Sequence, residues 1–144
     1  MLIFFSCTFS QAIFSGYSNV NSALTLENLE GAFYAQGFSK FPDSDFMALG
    51  LQAADVTNLK SIATTEQTHV TTLTTAIAGA GFKPVQPCTY NFGFTTAAAM
   101  VATAGNLENI GVSAYAALPR QIGPHANPSA GTLEQLPWFR CLQS

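Results

Sequence analysis

The sequence predicts an all-α fold, a bundle of long helices with one long crossover. Three observations carry this. Apolar residues recur at spacings of three and four along the chain, as in Leu59, Ile62, Ala63, Val70, Leu73 and Ile77. Prolines fall between the periodic stretches rather than within them. The stretch between the second and third helices is long enough to run the length of a bundle.

The elements follow in order. Residues 1–18 are expected to be irregular or the remnant of a signal-like segment, because Leu2 to Phe14 is apolar but no basic residue follows Met1. The first helix is predicted over Asn19 to Phe38, with Gly37 near its end and Phe41-Pro42-Asp43 breaking the pattern. The second is predicted from about Ala53 to Ile77, closed by Gly79 and Gly81. It carries seven threonines between Thr64 and Thr75. Their β-branching restricts χ1 and lowers helix propensity, so burial has to compensate.

Gly81 to Phe94 cannot be helical, because Pro84 and Pro87 lie within it. The third helix is expected from Thr95-Thr96 to Leu118, with Pro119 as its stop. Such a helix is about 36 Å long, and fourteen extended residues reach about 46–50 Å. The linker can therefore return the chain to the starting end, which makes the second and third helices parallel. One long crossover is the topology of ferritin-like four-helix folds. Residues 119–144 hold Pro119, Pro124, Pro128 and Pro137 and predict an irregular tail; the fourth helix is missing or replaced by it.

Composition narrows the function. The 144 residues suit one domain. Only 9% are charged, against roughly 25% in a typical soluble domain, while 48% are hydrophobic, so the chain buries a core and is not a disordered tail. The five Lys and Arg are scattered singly and the net charge is -3, which argues against nucleic acid as a partner. Polar residues interrupt every run that could span a membrane. Cys7, Cys88 and Cys141 form no CxxC motif, and their odd number leaves pairing open.

Two stretches look like copies of one another. Leu26-Glu27-Asn28-Leu29 is followed by Tyr34, and Leu107-Glu108-Asn109-Ile110 by Tyr115. Seven residues are nearly two turns, so each Glu shares a face with its Tyr. The Glu27 face also holds Val20, Leu24 and Gly31; the Glu108 face holds Val101, Ala104 and Gly111. Both carboxylates thus point toward the core, where burial is costly unless they are paired, protonated or bound to a metal. The second helix adds Glu66 and His69, an i, i+3 pair on one side. A Glu from one helix and a Glu-x-x-His from the next make half of a carboxylate-bridged dimetal site, with donors that suit iron or manganese. A lone Glu-x-x-His is common by chance, and a lone buried Glu is usually a satisfied core carboxylate. Order, spacing, duplication and crossover length together point to a centre.

The segments ALTLENLEGAFY, ATTEQTHVTTLTTAI, PVQPCTYNF and LENIGVSAY, in that order, resemble the ferritin-like domain of fungal stress-response and late sexual development proteins and of plant desiccation-related proteins. The resemblance covers about Asn19 to Leu118. It implies a four-helix bundle, a secreted or wall-associated location, and a role in stress or development with no established reaction. It also implies that Glu27, Glu66, His69 and Glu108 occupy dimetal ligand positions, an iron or manganese site that is incomplete. Glu30, about 60° round the helix from Glu27, is a substitute ligand or supporting group, with Tyr34 and Tyr115 as supporting phenols. The departure lies beyond the third helix: Glu134 is followed by Gln135, Leu136 and Pro137, with no second Glu-x-x-His, and His125 sits between prolines. Three readings follow: a partial dimetal protein, a metal-free scaffold of the same fold, or a truncated product without independent activity. Three helices alone would leave a bundle face open, through which a homodimer could form.

Overall fold

A computed structural model of the protein describes the backbone of residues 4–121 and the side chains of residues 19–113. It is helical, with no strand among the described residues. Three long helices, α1 (Phe4–Lys40), α3 (Ala53–Gly79) and α4 (Ala97–Gln121), are joined by the single-turn helix α2 (Asp43–Met47) and by an extended crossover. The all-α bundle predicted from the sequence is the fold observed. The candidate fourth helix, with Glu134 and His125, lies outside the described residues.

Two boundaries differ from expectation. α1 begins at Phe4, not Asn19, so the segment expected to be irregular is helical from its fourth residue. It has no proline and a single glycine, Gly16, so nothing interrupts the ladder. α4 passes Pro119 to end at Gln121, so the proline falls in its last turn, with little helix beyond it to disrupt. α2 had no counterpart in the sequence reading. It buries Phe46 completely beneath the α1–α3 turn.

The helix ends follow local chemistry. At the start of α3 the Asp55 carboxylate accepts from the Gln52 backbone N–H (2.8 Å), half of a capping box. Its C-terminus is a Schellman closure: Gly81 adopts φ +82° while the Phe82 N–H donates to the Ile77 carbonyl and the Gly81 N–H to that of Ala78. A side chain at Gly81 would be strained in this left-handed conformation. At α4 the Thr96 hydroxyl accepts from the Ala99 N–H (3.1 Å), so Thr96 caps the helix it was expected to begin.

α1 is the central rod. It packs against both α3 and α4, which do not approach each other among the described residues. The crossover is tied along α1 in sequence order. The Val85 N–H donates to Asn21 Oδ1 (2.8 Å), Gln36 Nε2 to the Tyr90 carbonyl (3.2 Å), and Lys40 Nζ to the Phe94 carbonyl. Nineteen helical steps from Asn21 to Lys40 rise about 28 Å, and nine extended steps from Val85 to Phe94 cover about 30 Å, so strap and rod match in length. α4 therefore starts at the C-terminal end of α1 and runs back along it, parallel to α3, as the crossover length predicts. Extended chain places alternate residues on one side. Tyr90, Phe92 and Phe94 stack in a row, with ring centroids 5.7 and 5.5 Å apart.

Phe33, fully buried, receives this strap edge-on from Phe92 (5.2 Å) and Phe94 (5.1 Å), and meets Tyr34 at 5.3 Å. Leu29, Met100, Leu107 and Val56 complete the same core. Close approach of α4 is admitted by Gly37, where a Cβ would run into the Met100 side chain. Replacing Phe33 by Ala removes the joint between rod and strap. We expect it to cost about 3–5 kcal/mol, read as a lower urea midpoint; a loss below about 1 kcal/mol would show that the strap is not held by this ring.

Candidate metal centre

α1 presents two carboxylates to its two neighbours. Glu27 faces α3 and Glu30, one turn later, faces α4. Both are buried, at 1% and 4% exposure. Opposite Glu27, α3 supplies Glu66, buried, and His69, whose side chain is 47% exposed. His69 Nδ1 lies 3.0 Å from Glu27 Oε2 and 3.1 Å from Glu66 Oε2. One donor atom from each of Glu27, Glu66 and His69 falls within a 4.8 Å cluster. α3 reaches this position because α1 carries Gly31 there; a Cβ would collide with the Gln67 side-chain amide.

Glu108 of α4 stands outside that cluster of three, yet its charge acts on both Glu30 and Glu66. It is held by Tyr34, whose hydroxyl donates to Glu108 Oε1 at 2.7 Å, a short charge-assisted bond. Tyr34 is buried. Burial, and then the hydrogen bond and charge of Glu108, push the phenol well above its usual range, so it stays a donor. The structure thus brings Glu27, Glu66 and His69 together, ties Glu108 to Tyr34, and buries Glu30 among these carboxylates. The side chain of Tyr115 lies outside the described residues. Sequence reasoning paired each Tyr with the face of its own Glu and missed that Tyr34 serves the Glu of the other helix. The antiparallel run of α4 against α1 produces that exchange.

Several carboxylates crowd one interior. Burial, then the charges of Glu27, Glu66 and Glu108, push Glu30 up to about 8. Burial and a hydrogen bond to Glu27 push Glu66 up to about 7, although His69 pulls the other way. Burial opposes a charged His69, but the field of Glu27 and hydrogen bonds to Glu66 and Glu27 outweigh it and raise its value. The interior therefore takes up positive charge, as protons or as a cation. Two carboxylate oxygens and an imidazole nitrogen suit a first-row divalent metal such as iron or manganese, and the residues present fit such an ion.

A helical bundle with a long crossover and a carboxylate–imidazole cluster across adjacent helices is a ferritin-like arrangement. The chain matches the family model of the ferritin-like domain over residues 17–130, and it belongs to that family. No curated protein matches it. No described helix is long and apolar enough to cross a membrane. Cys88, whose pairing the sequence left open, is disulfide-bonded.

Two predictions follow from the charges. Glu30 and Glu66 gain protons on folding, since their values rise from 4.5. Their contribution is present in full below about pH 4.5 and is lost as pH rises through 7 and 8. His69, raised above 6.5, acts in the same direction. The metal-free protein should therefore lose thermal stability between about pH 4.5 and 8, and Glu30→Gln should flatten that dependence; a melting temperature that climbs with pH would contradict this. Tyr34→Phe leaves the Glu108 carboxylate without its donor and should cost about 1–3 kcal/mol, measured by urea unfolding at pH 7.

Proposed function

We propose that the protein is a ferritin-like metal-binding protein with a partial dimetal carboxylate centre for iron or manganese, in which Glu27, Glu66 and His69 are ligands and Glu108 is the carboxylate of α4. The convergence of the three donor atoms within 4.8 Å from two separate helices carries this reading. A bound iron or manganese ion would supply redox chemistry toward oxygen or peroxide. Glu27 and Glu66 offer anionic oxygens from a dry interior, where their attraction for a cation is weakly screened. Neutral His69 offers the Nδ1 lone pair, and its half-exposed ring sits at the water-facing edge of the cluster. Tyr34 fixes the rotamer of Glu108.

The four segments quoted above favour placing the chain among fungal stress-response and late sexual development proteins or their plant desiccation-related relatives, in a stress or developmental role. The Cys88 disulfide supports a secreted or wall-associated location, because disulfides persist in oxidising compartments. The sequence contains a single Glu-x-x-His, which favours a second reading, a metal-free scaffold acting through binding.

One experiment separates the two. Metal analysis of purified protein and calorimetric titration with manganese(II) should detect binding that Glu66→Ala abolishes. At 100-fold excess over Kd, the metal should stabilise the fold by about 2.7 kcal/mol, reversibly with chelator. Affinity should rise with pH, because ligands must shed protons to bind. Absence of iron or manganese above background, with no change on Glu66→Ala, would leave the scaffold reading.

A further inference from the structure

Cys88 sits in the crossover and is disulfide-bonded. The chain has two other cysteines, Cys7 and Cys141. Position along α1 decides between them. Cys88 comes three residues after Val85, whose N–H is fixed to Asn21, and two before Tyr90, whose carbonyl accepts from Gln36. It therefore stands level with the stretch of α1 between Asn21 and Gln36. Cys7 belongs to the same uninterrupted helix. It lies fourteen steps before Asn21, about 21 Å from that level at the nearest. Disulfide-linked Cα atoms are at most about 7 Å apart, so Cys7 is out of reach. Cys141 is within it. α4 runs back along α1, with Glu108 at Tyr34 and Gly111 at Glu30. Ten further steps bring its end at Gln121 near the level of Asn21, where Val85 is tied. The twenty residues from there to Cys141 reach up to about 66–72 Å.

We infer that Cys88 is bonded to Cys141, and that this bond closes a covalent ring that fastens α4 into the bundle. The inference does not depend on metal binding. The two thiols give up two protons and two electrons to a disulfide oxidant, which is reduced to its dithiol as the new S–S bond forms. Among the described residues α4 packs on α1 and α2 but makes no close approach to α3, and its Val112 is 69% exposed. Few neighbours hold this helix, and sparsely packed elements open first. The ring runs from Cys88 through the crossover, α4 and the chain beyond it, so α4 is secured at both ends. Its anchor on the crossover is firm. The Cys88 N–H donates to the Tyr90 hydroxyl (3.4 Å), and Tyr90 stacks on Phe92. A link that closes a long loop restricts the unfolded chain most. Glu108 lies inside the ring, so the bond also secures the helix that carries the partner of Tyr34.

The full chain, purified without reductant, is alkylated at its free thiols and digested with trypsin. Cleavage after Lys40, Lys60, Arg120 and Arg140 separates the three cysteines into residues 1–40, 61–120 and 141–144, since the bond between Lys83 and Pro84 resists. Mass spectrometry should find 61–120 joined to 141–144 by a link that reduction breaks, with the alkyl group on Cys7. A link from 61–120 to 1–40 or to a second copy of itself overturns the pairing, as does alkylation of both Cys88 and Cys141. This map uses wild type alone, so it holds even if a variant fails to fold. Cys141→Ser, and reduction of wild type, should each lower the urea midpoint by about 1–2 M. A midpoint that neither of them moves overturns the role of the ring in holding α4, even where the link is found.

Discussion

Carboxylates buried in the bundle interior set the terms for everything else in this protein. Glu27, Glu30 and Glu66 are each less than 5% exposed, in a chain where only 9% of residues are charged at all. Placing an ionised carboxylate in such surroundings is among the most expensive choices a fold can make. Three together add mutual repulsion to desolvation. A sequence that holds to this arrangement must supply compensating positive charge, and the available forms are the proton and the metal cation. His69 Nδ1 stands 3.0 Å from Glu27 and 3.1 Å from Glu66, where their field favours its protonated form, and the raised values of Glu30 and Glu66 are compensation by protons. A divalent ion offers more charge in less volume. It replaces protons at the ligands it binds, which ties the state of the bundle to metal supply and to pH.

The architecture around these groups is built to let three helices converge on one region without filling it. Among the described residues α1 is the long helix that packs against both of the others, so it presents carboxylates to each. Glu27 and Glu30, three residues apart, point about 60° from one another and divide the work between the two sides. Glycines mark the close approaches: Gly31 beneath the Gln67 side chain, Gly37 beneath Met100, and Gly111 opposite Glu30. The crossover secures the far side of α1 with the row Tyr90, Phe92 and Phe94, pressed onto Phe33. A strap equal in length to the rod fixes where α4 begins, and with it the height at which Glu108 meets Tyr34. Packing remote from the charged groups thus controls their geometry.

Much of this was legible in the sequence, for identifiable reasons. Helical periodicity puts residues seven apart on one face, so Leu-Glu-Asn followed by Tyr marked α1 and α4 as related surfaces. An i, i+3 spacing sufficed to place Glu66 and His69 together. Proline positions and chain length gave the crossover and hence the parallel run of α3 and α4. The less legible features depend on relations between helices. Nothing in the spacing of Glu27 and Tyr34 says that the phenol will bond Glu108, because that depends on the axial offset of α4, which the aromatic strap sets. Gly111 reads as a weak helix residue until the carboxylate above it is seen. The early start of α1 escaped because apolar residues without proline fit a helix and a signal-like segment equally well. α2 escaped because a single turn beside Pro42 has too few residues to display a period.

The exposure of His69 is the last constraint, and it follows from the same geometry. Among the described residues α1 packs against both α3 and α4, which make no close backbone approach to each other. Of the three clustered donors, the carboxylates are buried, while the imidazole side chain is 47% exposed. This asymmetry suits the physical roles. A carboxylate attracts a cation most strongly where water is excluded, whereas an imidazole must lose a proton before it can bind, and a proton leaves most readily to water. The group that has to exchange with solvent is the exposed one, and the groups that need none are the ones the bundle covers.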